Sequence, residues 1–88
     1  MKHEIKIRED YIEPILAKEK TFEVRENDRG YQKGDLVKFI PVDRRGITYY
    51  DPILEEKTYQ ITYVHSGLGL KEGYVVFGIK ELYHKTEG

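Results

Sequence analysis

The stretch Lys20 to Asp35, KTFEVRENDRGYQKGD, decides how the rest of the chain is read. Side chains of an extended backbone alternate between two faces, so Phe22 and Val24 share one face and Thr21, Glu23 and Arg25 share the other. Apolar side chains are expected in a core, which places Phe22 and Val24 inside and turns Glu23 and Arg25 toward a cleft. Asn27, Asp28 and Arg29 follow at once in a loop, and Gly34-Asp35 makes a turn into the next alternating run. Donors and acceptors are thus concentrated on one strand and its outgoing loop, the usual material of a recognition site on a rigid scaffold. The pattern points to a polar ligand or a nucleic acid.

Working outward toward the N-terminus, Met1 to Ile7 alternates His3, Ile5 and Ile7 against Glu4 and Lys6, which reads as a first strand. Asp10 to Lys18 reads as a short helix: Asp10 stands at the cap, Glu13 completes a capping-box spacing, and Tyr11, Ile12, Ile15 and Leu16 recur at helical intervals. Pro14 must then lie in or next to the first turn, where its missing N–H breaks no bond. Toward the C-terminus, Leu36 to Val42 is a strand whose Pro41 implies an end or an edge. Residues 43–56 read as a punctuated segment in which Ile47 to Tyr50 form a small strand or a packed loop. Lys57 to His65 sets Tyr59, Ile61 and Tyr63 against Thr58, Gln60 and Thr62, a half-buried strand. Ser66 to Gly73 reads as a long hairpin connection to a last strand, Tyr74 to Leu82, and Tyr83 to Gly88 as a frayed tail. The glycines of that connection lack the Walker spacing and its lysine-serine ending, so it is no phosphate-binding loop.

At 88 residues the chain is one domain, and five or six short strands with one early helix imply a mainly β (α+β) fold, a small β-barrel or strongly curved sheet with the helix over an opening. The absence of cysteine removes disulfides, thiolate metal sites and a thiol nucleophile, which fits a reducing cytoplasm. Three histidines far apart in sequence make no zinc motif, and neither a signal peptide nor a membrane-spanning run is present. Fifteen Lys and Arg against sixteen Asp and Glu leave a formal charge of −1, so any nucleic acid must be held by a local basic patch. Exposed members of the eight tyrosines would be available to stack on bases.

The segments His3-Glu4-Ile5-Lys6, Lys20 to Arg29, Gly34-Asp35 and Lys71-Glu72-Gly73-Tyr74 together resemble a short bacterial and phage branch of the ASCH-type domains, known chiefly as a domain of unknown function. The resemblance spans nearly the whole chain. It implies a PUA-like β-barrel that binds RNA in a cleft between barrel and helix, lined by a G-x-K-x-x-E-x-R type segment. Ala17 or Lys18 stands where that segment often has glycine. Some relatives of similar size are amidohydrolases of acetylated cytidine that use a lysine, a threonine two to three positions on and a distant glutamate. Lys20 matches the lysine, but Glu23 occupies the place of the threonine, and a carboxylate does not replace a hydroxyl nucleophile activated by lysine.

The reading that combines residues and resemblance is an RNA- or nucleotide-binding module without cofactor or metal. Lys6, Lys20, Arg25 and Arg29 would supply phosphate or base-edge donors, Glu23 and Asn27 would meet base edges, Asp28 would orient an arginine, and His3 would complete the set. Two alternatives differ in class: a small amidohydrolase using Lys20 and Glu23, and a protein-interaction domain presenting a tyrosine-rich surface. An ordinary network of surface ion pairs among Lys6, Lys20, Glu23, Arg25 and Arg29 would use the same residues.

Overall fold

His3, Ile5 and Ile7 are all buried in the computed structural model, which describes residues 1–83, so β1 (Lys2–Arg8) forms with the alternation that its sequence dictates. The expected frayed tail lies almost wholly outside the described residues. After β1 come a 3-10 turn (Glu9–Tyr11) and the short helix α1 (Ile12–Leu16), which buries Ile12 and Ile15. Asp10 does not cap the helix; its carboxylate accepts from Arg8 at 3.2 Å instead, because the 3-10 turn places the helix start at Ile12. The chain then runs through β2 (Phe22–Glu26), β3 (Leu36–Val42), a second short helix α2 (Pro52–Glu55), β4 (Thr58–Ser66) and β5 (Tyr74–Leu82).

The strands form a single sheet in the order β1-β3-β4-β5-β2. β1 and β3 run parallel, with Ile5 opposite Phe39, and every other neighbouring pair is antiparallel. A parallel pair needs a crossover, and here that connection carries both α1 and β2, which is delivered to the far edge of the sheet. β1 and β2 are therefore the two edges, and among the described residues no strand ladder closes the sheet into the expected barrel. The core lies on one face, where Ile5, Phe39, Ile61 and Phe77 are almost completely buried and α1 packs Ile15 over them.

Three further readings of the sequence need correction. The first concerns β2, where Phe22 and Val24 are 45% and 52% exposed while Glu23 is only 5% exposed. Register explains the reversal: Glu23 pairs with Phe77 and Arg25 with Val75, both inward on β5, so Phe22 and Val24 must face out beside Gly78 and Val76. The second concerns β4, in which the pairing slips between Ile61 and Tyr63. This bulge at Thr62 flips the alternation, so Val64 packs against the core and Tyr63 is left 66% exposed. Gly78 permits it, since a Cβ there would lie 2.5 Å from Thr62 Oγ1. The third is α2, unanticipated between residues 43 and 56. Its signature was present in Asp51-Pro52: Asp51 Oδ1 accepts from the Ile53 and Leu54 N–H groups at 3.0 Å, and proline occupies the first turn. Pro41 pairs with Ile7 of β1, but its carbonyl accepts from the Tyr49 N–H on the opposite side, where β3 has already parted from β4, so its nitrogen also faces away from β1 and the missing N–H costs the β1–β3 ladder no bond.

Candidate ligand-binding cleft

The inverted face of β2 creates the site. Glu23 projects to the buried side, where it would be costly unless neutralised. Two cations meet it: Lys20 Nζ bonds Oε2, and Arg25 Nε donates to Oε1 at 3.3 Å. Lys20 also donates to the Phe22 carbonyl at 2.7 Å, and its ammonium stands 4.9 Å from the ring centres of Tyr11 and Phe22. It thereby wraps the free edge of β2, covering a carbonyl that has no strand partner.

The two arginines bridge the open seam of the sheet. Arg25 Nη2 donates to the Lys6 carbonyl, and Arg29 Nη1 donates to the Glu4 carbonyl, both on the unpaired edge of β1. Guanidinium groups thus take the place of the ladder that would have closed a barrel. Each uses only part of its five donors in this way, so both keep N–H groups for a further partner.

Between the two edges lies a cleft of about 330 Å³. Glu23, Arg25, Asp28 and Arg29 line it, together with Tyr11, Tyr31 and Tyr74. Three arginines (Arg8, Arg25, Arg29) face three carboxylates (Glu23, Glu26, Asp28), so the lining is balanced, and Lys20 beside it adds one positive charge. Such a lining suits a polar ligand with one or two anionic groups far better than a long polyanion.

Tyr31 forms the rigid part of the wall. Its ring is 4.7 Å from that of His3 and 4.8 Å from that of Phe77, tilted by 59° and 40°, a continuous run of ring contacts from core to cleft. Asn27 Oδ1 accepts from the Tyr31 N–H at 3.1 Å, holding the loop. Burial pushes the Tyr31 phenol above its ordinary value, although Arg25 and Arg29 oppose the shift, so the hydroxyl is a donor near neutral pH. Below it, His3 Nε2 donates to Asp35 Oδ2 at 2.8 Å, while the Gln32 N–H and the terminal amine bond the same carboxylate.

Of the residues singled out from sequence, Lys20, Glu23, Arg25, Asp28 and Arg29 therefore come together around the cleft. His3, Lys6 and Asn27 do not line it. His3 is buried beneath Tyr31, Lys6 contributes its carbonyl while its side chain is on the exposed face, and Asn27 braces the loop. Tyr11, Tyr31 and Tyr74 were the omissions. The tyrosine-rich composition was the available signal, but nothing local distinguishes these three from the other five. His65 is not among the residues lining the cleft; its Nε2 donates to the Leu68 carbonyl, 3.0 Å away, and His84 lies outside the described residues. No helix among the described residues is long and apolar enough to cross a membrane.

Among solved structures, the crystal structure of hypothetical protein PH0355 is similar over 93% of this chain and 100% of its own, with a TM-score of 0.60 and 19% identity. That similarity concerns the fold. No curated protein matches the chain. The family model described as "Domain of unknown function (DUF3850)" matches residues 2–79, nearly the whole chain, and the protein belongs to that family.

Proposed function

We propose that this domain is an ASCH-type, PUA-like module that binds a nucleotide unit, free or as an unpaired residue of RNA, in the cleft between β1 and β2. The observation that carries the reading is the Glu23 carboxylate, held between Lys20 and Arg25 at a cleft walled by Tyr11, Tyr31 and Tyr74. A fixed carboxylate accepts from the amino or imino edge of a base, tyrosine rings stack on its face, and the remaining donors of Arg25 and Arg29 meet phosphate. The Lys20–Glu23–Arg25 spacing matches the K-x-x-E-x-R part of the ASCH segment, which supports the same assignment. Lys18, at the position of its glycine, has φ 61°, so the backbone keeps the conformation glycine would adopt.

Titrating short single-stranded and hairpin RNAs and a nucleoside monophosphate against wild type, Glu23→Gln and Arg25→Ala tests this reading. With at most three arginines to neutralise phosphates, log K should fall with log salt at a slope no steeper than about −2, and Arg25→Ala should reduce it by about one contact. Absence of binding at low salt, or binding indifferent to both substitutions, overturns it.

One observation favours a second reading. Lys20 and Glu23 are in direct contact and largely shielded from solvent, which makes an acid–base pair of the kind a small amidohydrolase uses. No hydroxyl takes the threonine's place, since Thr21 is exposed and lies outside the cleft lining. Incubation with acetylated cytidine should yield no turnover; hydrolysis abolished by Lys20→Ala in a folded variant would make the enzyme the better reading.

A further inference from the structure

Tyr31 carries a polar atom that the fold leaves unused. The residue is 4% exposed and its ring is held by His3 and Phe77, yet among the described residues its side chain makes no hydrogen bond and only its backbone N–H is bonded, to Asn27. The charged groups that act on the phenol are Arg25, Arg29, Asp28 and Glu23, all members of the cleft lining, so the hydroxyl opens into the cleft. The two arginines act on it more strongly than the two carboxylates, and Glu23 is also countered by Lys20. Positive charge therefore prevails at this end of the cleft. Tyr74 lines the cleft as well, whereas Tyr83, where the described residues end, lies about 30 Å of strand further along β5. Buried hydroxyls are nearly always paired, so an unpaired one opening into a cleft is a donor available to a ligand.

We propose that the inner end of the cleft is a seat for a terminal phosphomonoester, so that the ligand is a nucleoside monophosphate or the phosphorylated end of a strand, and that Tyr31 is the residue that selects it. The proposal rests on the nucleotide reading above and narrows it. Arg29 makes no ion pair among the described residues and spends one donor on the Glu4 carbonyl, while Arg25 shares its carboxylate with Lys20. Their remaining N–H groups and the Tyr31 hydroxyl make three sources of donors around one point. A phosphomonoester presents three free oxygens to them, and an internal phosphodiester only two. The path of a chain is decisive as well. Both guanidinium groups cross the seam to carbonyls of β1, and Tyr31 packs over His3 and Phe77 behind them, so the strand entering here must end. At about 330 Å³ the cleft lies at the low end of the roughly 300–1,000 Å³ usual for ligand pockets, which suits a single nucleotide unit.

Calorimetric titration of the full chain with adenosine and cytidine tests the seat, each supplied as the free nucleoside, as the 5′- and 3′-monophosphates, and as the methyl phosphodiesters. At least one monophosphate should bind wild type about ten- to a hundredfold more tightly than its methyl diester, the difference one hydrogen bond to a charged group supplies. Tyr31→Phe keeps the ring packing and should remove most of that preference, leaving the diester and the nucleoside within about twofold of wild type and the thermal midpoint undiminished. A trinucleotide phosphorylated at the preferred end and bound as tightly as the monophosphate assigns the seat to strand ends, and its exclusion assigns it to free nucleotides. Equal affinity of monophosphate and diester for wild type, a preference that survives in Tyr31→Phe, or a lowered midpoint in that variant would each overturn the proposal while the nucleotide reading stands. Binding of none of these ligands would remove the nucleotide reading itself, and this proposal with it.

Discussion

Arg25 on β2 donates through its guanidinium to the main-chain carbonyl of Lys6 on β1, joining the two edges of the sheet where no strand ladder forms. The same side chain bonds Glu23, so a single arginine holds the seam and orients the carboxylate in the cleft. Arg25→Ala should therefore destabilise the fold by about 1.5–3 kcal/mol, the range for hydrogen bonds to charged groups. Arg25→Lys, which keeps the charge but cannot reach both partners at once, should recover less than half of that. Urea denaturation of the three proteins measures both differences, and faster amide exchange along β1 in Arg25→Ala would locate the loss at the seam.

Glu23 is the most deeply buried carboxylate facing the cleft, and its removal leaves Lys20 and Arg25 facing one another. Breaking a fully buried pair costs about 3–5 kcal/mol, and the partial exposure of both cations lowers this to about 2 kcal/mol for Glu23→Gln. Chemical denaturation reads it directly. A change within error would show the pairing to be energetically neutral.

Phe22 and Phe77 are both strand phenylalanines but should respond oppositely. Phe77→Ala removes a fully buried ring and should cost about 3–5 kcal/mol, whereas Phe22→Ala, on the outer face, should cost less than about 1 kcal/mol. Equal losses in the two variants would contradict the register of β2 against β5.

Asp35 provides a pH test. Burial alone would raise its pKa, but hydrogen bonds from His3, the Gln32 N–H and the terminal amine outweigh burial and hold it below the ordinary 3.8. The stability gained from its ionised form is complete above that ordinary value and is lost as pH falls through the folded one. Asp35→Asn should lower stability at pH 7 by about 1–3 kcal/mol and flatten the acid limb of the stability profile. Thermal midpoints of both proteins measured from pH 7 down to pH 2 check the sign and the window.

The sequence by itself determined where most strands run, because alternation and turn residues are local: His3, Ile5 and Ile7 on β1 and the Gly34-Asp35 turn into β3 needed no knowledge of neighbours. It also collected Lys20, Glu23, Arg25, Asp28 and Arg29 into one region, since they lie within ten positions of each other. Alternation says that Phe22 and Glu23 face opposite ways but not which way is in. That was decided by the pairing of Glu23 with Phe77 across β5, a contact between residues far apart in the chain, and by cations close enough to make a buried carboxylate tolerable. The bulge at Thr62 likewise depends on Gly78 opposite, and Tyr31 became a wall of the cleft only by packing between the rings of His3 and Phe77. The seam itself belongs wholly to the tertiary structure, because it exists only where a curled sheet brings the carbonyls of Glu4 and Lys6 within reach of Arg29 and Arg25.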